Sequence, residues 1–124
     1  GNCSNLYLLN SVYECNRLYA LRSNASIYIH GHSCGGTNPS LVEMMHFGIP
    51  VLAHGCSFNR YTTEGKAIYF MSSAELVEQQ LHLAPEVAIS IGADMCKIAR
   101  RRYTWDNIGN KYFELLVGDY GDAV

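Results

Sequence analysis

Residues 25–53 read ASIYIHGHSCGGTNPSLVEMMHFGIPVLA. The alternating strand-forming side chains at the front predict a strand over 25–30. Small residues then predict a loop over 31–38. Asn38 followed by Pro39 is a helix start: a capping side chain, then proline at the first helical position, where its missing amide costs nothing. Leu41, Met44, Met45 and Gly48 recur at the spacing of one buried face, which predicts a helix over 39–47. Gly48 ends it, Pro50 forbids its continuation, and the apolar run 49–53 reads as a second strand. Strand, helix and strand in this order make a parallel βαβ unit with a right-handed crossover.

The flanks extend the pattern. The apolar run 6–9 predicts another strand, and 11–23 a helix with Val12, Leu18 and Leu21 on its apolar side. A polar loop is expected over 54–65 and a strand over 67–71. Ser72, Ser73 and Glu75 open a helix over 73–83. Pro85 opens a longer one to about Arg102. A last helix, 105–117, carries Ile108, Tyr112, Leu115 and Leu116 as its apolar stripe. The expected fold class is therefore α/β, a Rossmann-like parallel sheet with flanking helices. Ligands in such sheets bind at the carboxyl ends of the strands, where the 31–38 and 54–65 loops would lie.

Composition narrows the function classes. With 124 residues and 48% apolar side chains, one domain with a real core is expected rather than a disordered chain. A formal charge of -2 leaves no basic field for a nucleic-acid backbone, so no nucleic acid is expected as partner. No apolar run approaches the roughly 18 residues of a membrane span, and residues 1–5 carry no signal-peptide pattern. Five cysteines without a C-x-x-C pair predict reduced, mostly buried thiols in a cytosolic protein.

The glycine-containing loop feeding a helix start offers backbone amides and a positive dipole end to an anion such as phosphate. Glu43 stands one turn further on, sharing a face with positions 36, 39 and 40. A carboxylate there accepts hydrogen bonds from paired hydroxyls, as a ribose offers, so the set suits a nucleotide. The same residues also serve as a plain turn and a dipole complement. His30, His32 and Cys34 alternate, but their spacing is not that of a closed zinc site, and no metal is expected. His30 is expected in the sheet and His32 beside the bound ligand, where it is also the candidate catalytic base. Arg60 is a candidate phosphate or base contact. Arg100, Arg101 and Arg102 are read as solvated dipole complements, with anionic lipid as the alternative. Trp105 and Tyr103 are read as core or inter-domain packing, and Met44 and Met45 as core filler.

The stretch GGTNPSLVEMMHFGIPVLA (35–53) resembles the donor-binding signature of retaining GT-B glycosyltransferases of family GT4, in a branch that builds bacterial surface polysaccharides. YIHGHS (28–33), FNR (58–60) and the tail RRRYTWDNIGNKY (100–112) are similar to that branch as well. The resemblance implies a two-domain enzyme of which residues 1–124 are a partial donor-binding domain. The acceptor-binding domain, and an earlier strand–helix unit carrying a diphosphate-binding arginine and lysine, are then absent. The chain alone is expected to bind a nucleotide weakly and to catalyse little.

By this likeness Glu43 matches the second glutamate of a Glu-x7-Glu motif, the one that holds the ribose hydroxyls. Gly35 takes the place of the first glutamate. Gly36, Thr37 and Asn38 would lie against the sugar and diphosphate, and Tyr61 stands where relatives carry an acid. The implied donor is a UDP- or dTDP-linked sugar, a substrate rather than a cofactor. The implied acceptor is a lipid-linked saccharide in O-antigen or capsule biosynthesis. The implied place is the cytoplasm, with peripheral contact at the inner face of the plasma membrane. Two alternatives stand beside this reading: a non-catalytic nucleotide or phosphosugar-binding module, and a phosphorylated-ligand response domain of flavodoxin type, whose early acidic pocket this chain lacks.

Overall fold

A computed structural model of the chain describes residues 4–107. Three short strands, β1 (Tyr28–His30), β2 (Val51–His54) and β3 (Ile68–Phe70), form a parallel sheet in the order β1-β2-β3. Helices α1 (Cys15–Ser23), α2 (Pro39–Met45), α3 (Ser57–Thr62), α4 (Ser73–Leu81) and α5 (Pro85–Arg102) accompany them among the described residues. The architecture is α/β, a small parallel sheet flanked by helices, consistent with a Rossmann-like arrangement. In register, Tyr28 faces Val51, His30 faces Ala53, and Ala53 faces Tyr69. Pro50 cannot donate to the ladder. Its carbonyl still accepts from the Tyr28 amide at 3.0 Å, so β2 starts one residue later.

The core lies between one sheet face and helices α2 and α5. Leu41 and Met45 of α2, Val51 and Ala53 of β2, and Met95, Ile98 and Ala99 of α5 form one buried cluster. Burying a leucine, valine, isoleucine or methionine of this kind contributes roughly 1.5–3 kcal/mol relative to leaving it exposed. Two glycines let the helices meet. Gly48 takes φ +70 in the turn after α2, and a Cβ on Gly92 would sit 2.9 Å from the Gly48 carbonyl carbon and 3.2 Å from that of Ile49. Helix α4 opens as expected: the Ser72 hydroxyl accepts from the Glu75 amide at 3.2 Å, and the Glu75 carboxylate accepts from the Met71 amide at 2.7 Å.

Several expectations need correcting. Segment 6–9 is not a strand and pairs with nothing in the sheet; Leu8 is 91% exposed, and β1 remains at the sheet edge. An apolar run becomes a strand only where a ladder accepts it. Helix α1 starts at Cys15 rather than 11, its N-terminus has no side-chain cap, and it buries no residue. The 54–65 loop contains helix α3, which periodicity missed because its inward residues, Asn59, Thr62 and Thr63, are polar. Helices α2 and α4 end at Met45 and Leu81, two residues early. Cys15 and Cys34 are exposed and Cys56 and Cys96 only half-buried, all four free, so the thiols are not core residues. The last helix expected over 105–117 lies outside the described residues beyond 107, although 105–107 are helical.

The arginine run is structural rather than merely solvated. Arg101 and Arg102 both pair with Glu64, and Arg102 also donates to the Tyr61 carbonyl at 2.9 Å. The Arg102 guanidinium lies 4.6 Å from the Tyr61 ring centre and 5.1 Å from that of Tyr103. These contacts moor the end of α5 to the turn after α3, where Glu64 takes φ +51.

Candidate functional site

The 31–38 loop leaves β1 at its carboxyl end, as the strand–loop–helix reading requires. Gly35 takes φ +94, a backbone conformation that favours glycine, whereas Gly36 has an ordinary φ. Gly35, Gly36 and Thr37 are exposed. Thr37 lies 3.5 Å from the Thr62 hydroxyl, so the loop leans on α3.

The helix start differs from the expected anion site. Asn38 caps α2, its Oδ1 accepting from the Ser40 amide at 2.9 Å. The Val42 amide donates to the Asn38 carbonyl at 3.2 Å, Pro39 has no N–H, and Leu41 is fully buried. The Ser40 and Val42 amides are thus both taken up by Asn38, and α2 is only seven residues long. A phosphate at this site would have to be met by the amides of the exposed loop instead.

Glu43 is where the spacing put it. Its side chain is 53% exposed and lines a cavity of about 780 Å³ among the described residues. The cavity is lined by Thr37 and Pro39, by Val42, Glu43 and His46 on and just after α2, and by Tyr103, Thr104 and Trp105 after α5. Sequence reasoning missed the partner of Glu43. Arg22, from the last turn of α1 and only 19% exposed, donates from Nη1 to Glu43 Oε2. The pair is 21 residues apart in sequence, so no helical or strand period announces it.

Two other residues hold the strand ends. Asn59 is buried, and its Nδ2 donates to the His32 carbonyl at 2.9 Å and to the His54 carbonyl at 3.0 Å. It clamps the loop after β1 to the end of β2. Its place in the FNR run was the only signal for it. Arg60 turns away from the cavity: its Nε donates to the Gly55 carbonyl at 3.0 Å, and its guanidinium lies 4.3 Å from the Tyr69 ring centre.

His30 is buried in the sheet, as expected, with Nδ1 3.0 Å from the Tyr28 hydroxyl. His32 is exposed and stacks on it, centroids 5.0 Å apart. Burial, and secondarily the neighbouring His32, hold the His30 imidazole below its ordinary titration range. The unfolded chain therefore takes up a proton that the folded chain resists. Stability is expected to fall as pH drops through the ordinary imidazole pKa of about 6.5, with a slope no steeper than about 1.4 kcal/mol per pH unit from this group. Urea unfolding at pH 7.5 and 5.5 measures it. His30→Asn should flatten the dependence, and an equally steep variant would assign the effect elsewhere.

Trp105 is not a core residue: its indole is 88% exposed. Tyr103 is half-buried against the core, its hydroxyl donating to the Thr62 carbonyl at 3.1 Å. No helix of the described residues is long and apolar enough to cross a membrane. Comparison with protein-family models, with curated proteins and with solved structures found no match.

Proposed function

We propose that the chain binds a nucleoside-diphosphate sugar and is the donor-binding part of a retaining glycosyltransferase of GT-B architecture. The half-exposed Glu43 carboxylate, on a cavity wall beside the loop after β1, carries this reading. A fixed carboxylate that accepts from a vicinal diol recognises ribose, and the guanidinium of Arg22 holds one of its oxygens while the other is left for the ligand. The exposed Gly35–Gly36–Thr37 backbone, at the strand end, is suited to the diphosphate.

In this reaction the bond between the anomeric carbon and the diphosphate breaks. A glycosidic bond to the acceptor hydroxyl forms on the same face, and the acceptor proton passes to the departing phosphate. The contribution of this chain is to fix the nucleotide and to aim backbone donors at the phosphate on which negative charge grows. A saccharide acceptor, lipid-linked and used in bacterial surface polysaccharide assembly at the cytoplasmic membrane face, completes the proposal.

Calorimetric titration with UDP and dTDP tests it. Glu43→Ala is expected to weaken binding by roughly 1.5–3 kcal/mol, about 10- to 150-fold, as for loss of a charged hydrogen-bond partner. Equal affinity in the variant would remove Glu43 from the site. No heat at millimolar nucleotide, in a chain shown to be folded, would remove the nucleotide.

A further inference from the structure

We infer that the indole of Trp105 is the platform on which the base of the bound nucleotide stacks; this rests on the nucleotide reading of the Glu43 cavity. The cavity has an unlike lining. One part of it is Glu43 with Val42 and His46; another is the segment after α5, where the Trp105 indole lies 88% exposed. An aromatic side chain of this size has a large apolar face to bury. Here it borders a concave space that the Glu43 carboxylate also lines.

The backbone on both sides of Trp105 is anchored. The His46 Nε2 donates to the Tyr103 carbonyl at 3.0 Å, tying the segment to α2. The Tyr103 hydroxyl ties it to α3 at the Thr62 carbonyl, and the Tyr103 amide donates to the Ala99 carbonyl at 2.8 Å. On the far side, the Thr104 hydroxyl accepts from the Asn107 amide at 3.2 Å. With the backbone on either side fixed, stacking has to order only the side-chain torsions of the indole itself.

The ligand that fits both parts of the lining is amphipathic: a diol at one end and a flat, weakly polar ring at the other. A nucleoside has this form. If the ribose diol meets Glu43, the group attached at the neighbouring anomeric carbon is the base, within a few ångströms of the diol. The transferred sugar lies beyond two phosphates. The cavity, about 780 Å³, falls within the range of small-ligand sites and exceeds what a ribose alone needs. Stacking on an indole tolerates any base, so the platform predicts affinity for nucleotides in general and little choice among uracil, adenine and guanine.

The test uses the fact that Trp105 is the only tryptophan of the chain. Its fluorescence reports the platform directly. UDP is expected to change the emission, and ribose 5-phosphate and pyrophosphate to leave it unchanged. Trp105→Leu should weaken UDP binding by roughly 5- to 150-fold, the range for one base–aromatic stack, and leave ribose 5-phosphate binding as it was. Trp105→Phe should keep most of the affinity. The indole is exposed, so these variants should melt with the parent chain. Calorimetric binding of UDP with no change in emission and no loss in Trp105→Leu would overturn the platform while leaving the nucleotide site standing. An equal response to ribose 5-phosphate would overturn base stacking. Absence of UDP binding to the unaltered chain would overturn both.

Discussion

Gly92→Ala is expected to destabilise the fold by about 3 kcal/mol, lowering the melting temperature by roughly 10 °C or more. In an isolated helix the same change would stabilise by close to 1 kcal/mol. The sign reverses because of what the new methyl meets. Its carbon would press on the Gly48 carbonyl and lie 2.9 Å from the Gly48 carbonyl carbon. Those atoms are backbone, in a turn already committed to φ +70, and have no rotamer by which to yield. Helix α5 would have to lift from α2, opening the contacts of Met95 and Ala99 with Leu41 and Met45. Thermal and urea unfolding measure this. A neutral or stabilising result would mean that the two helices stand further apart. Because α2 carries Glu43, the same variant should also weaken nucleotide binding.

Asn59→Asp is expected to have a comparable effect, at least about 3 kcal/mol at pH 7, through a change of a single group. The amide nitrogen that donates to the carbonyls of His32 and His54 becomes an oxygen that can only repel them. A buried charge is left without a partner. The sign with pH is diagnostic. The folded state raises the pKa of the new carboxyl above its unfolded value of about 3.9, so the variant keeps its stability below that pH and loses it as pH rises. Unfolding at pH 4.5 and 7.0 should show the variant closest to the parent at the lower pH. A pH-independent difference would show that the position is not enclosed.

The sequence was most legible where one period or one cap decides the backbone. Asn38, Pro39, Leu41, Met45 and Gly48 announce α2, and Pro85 through Arg102 bound α5. It was least legible where polar groups face inward. Asn59, Thr62 and Thr63 make α3 read as a loop, because their partners are backbone carbonyls and hydroxyls, invisible to hydropathy. The 6–9 run shows the converse, apolar side chains without a place in the sheet. For the proposed site, spacing singled out Glu43 and the loop but not Arg22, whose contact spans a strand–loop–helix excursion. It also overstated the helix start, since Asn38 both marks the cap and consumes a donor that a phosphate would use.

Helix α1 has no buried residue of its own. It reaches the rest of the domain through Arg22 on Glu43 and through the Tyr19 ring, 5.6 Å from that of Phe47. If the proposed nucleotide binds at Glu43, one carboxylate is shared between an element of the scaffold and the ligand. Linkage makes the two reciprocal: a guest that strengthens its grip on Glu43 at the expense of Arg22 loosens α1 by the same free energy that undocking α1 would return to the guest. On that proposal the first helix is a thermodynamic counterweight to the ligand, expected to show as a change in its amide exchange on saturation.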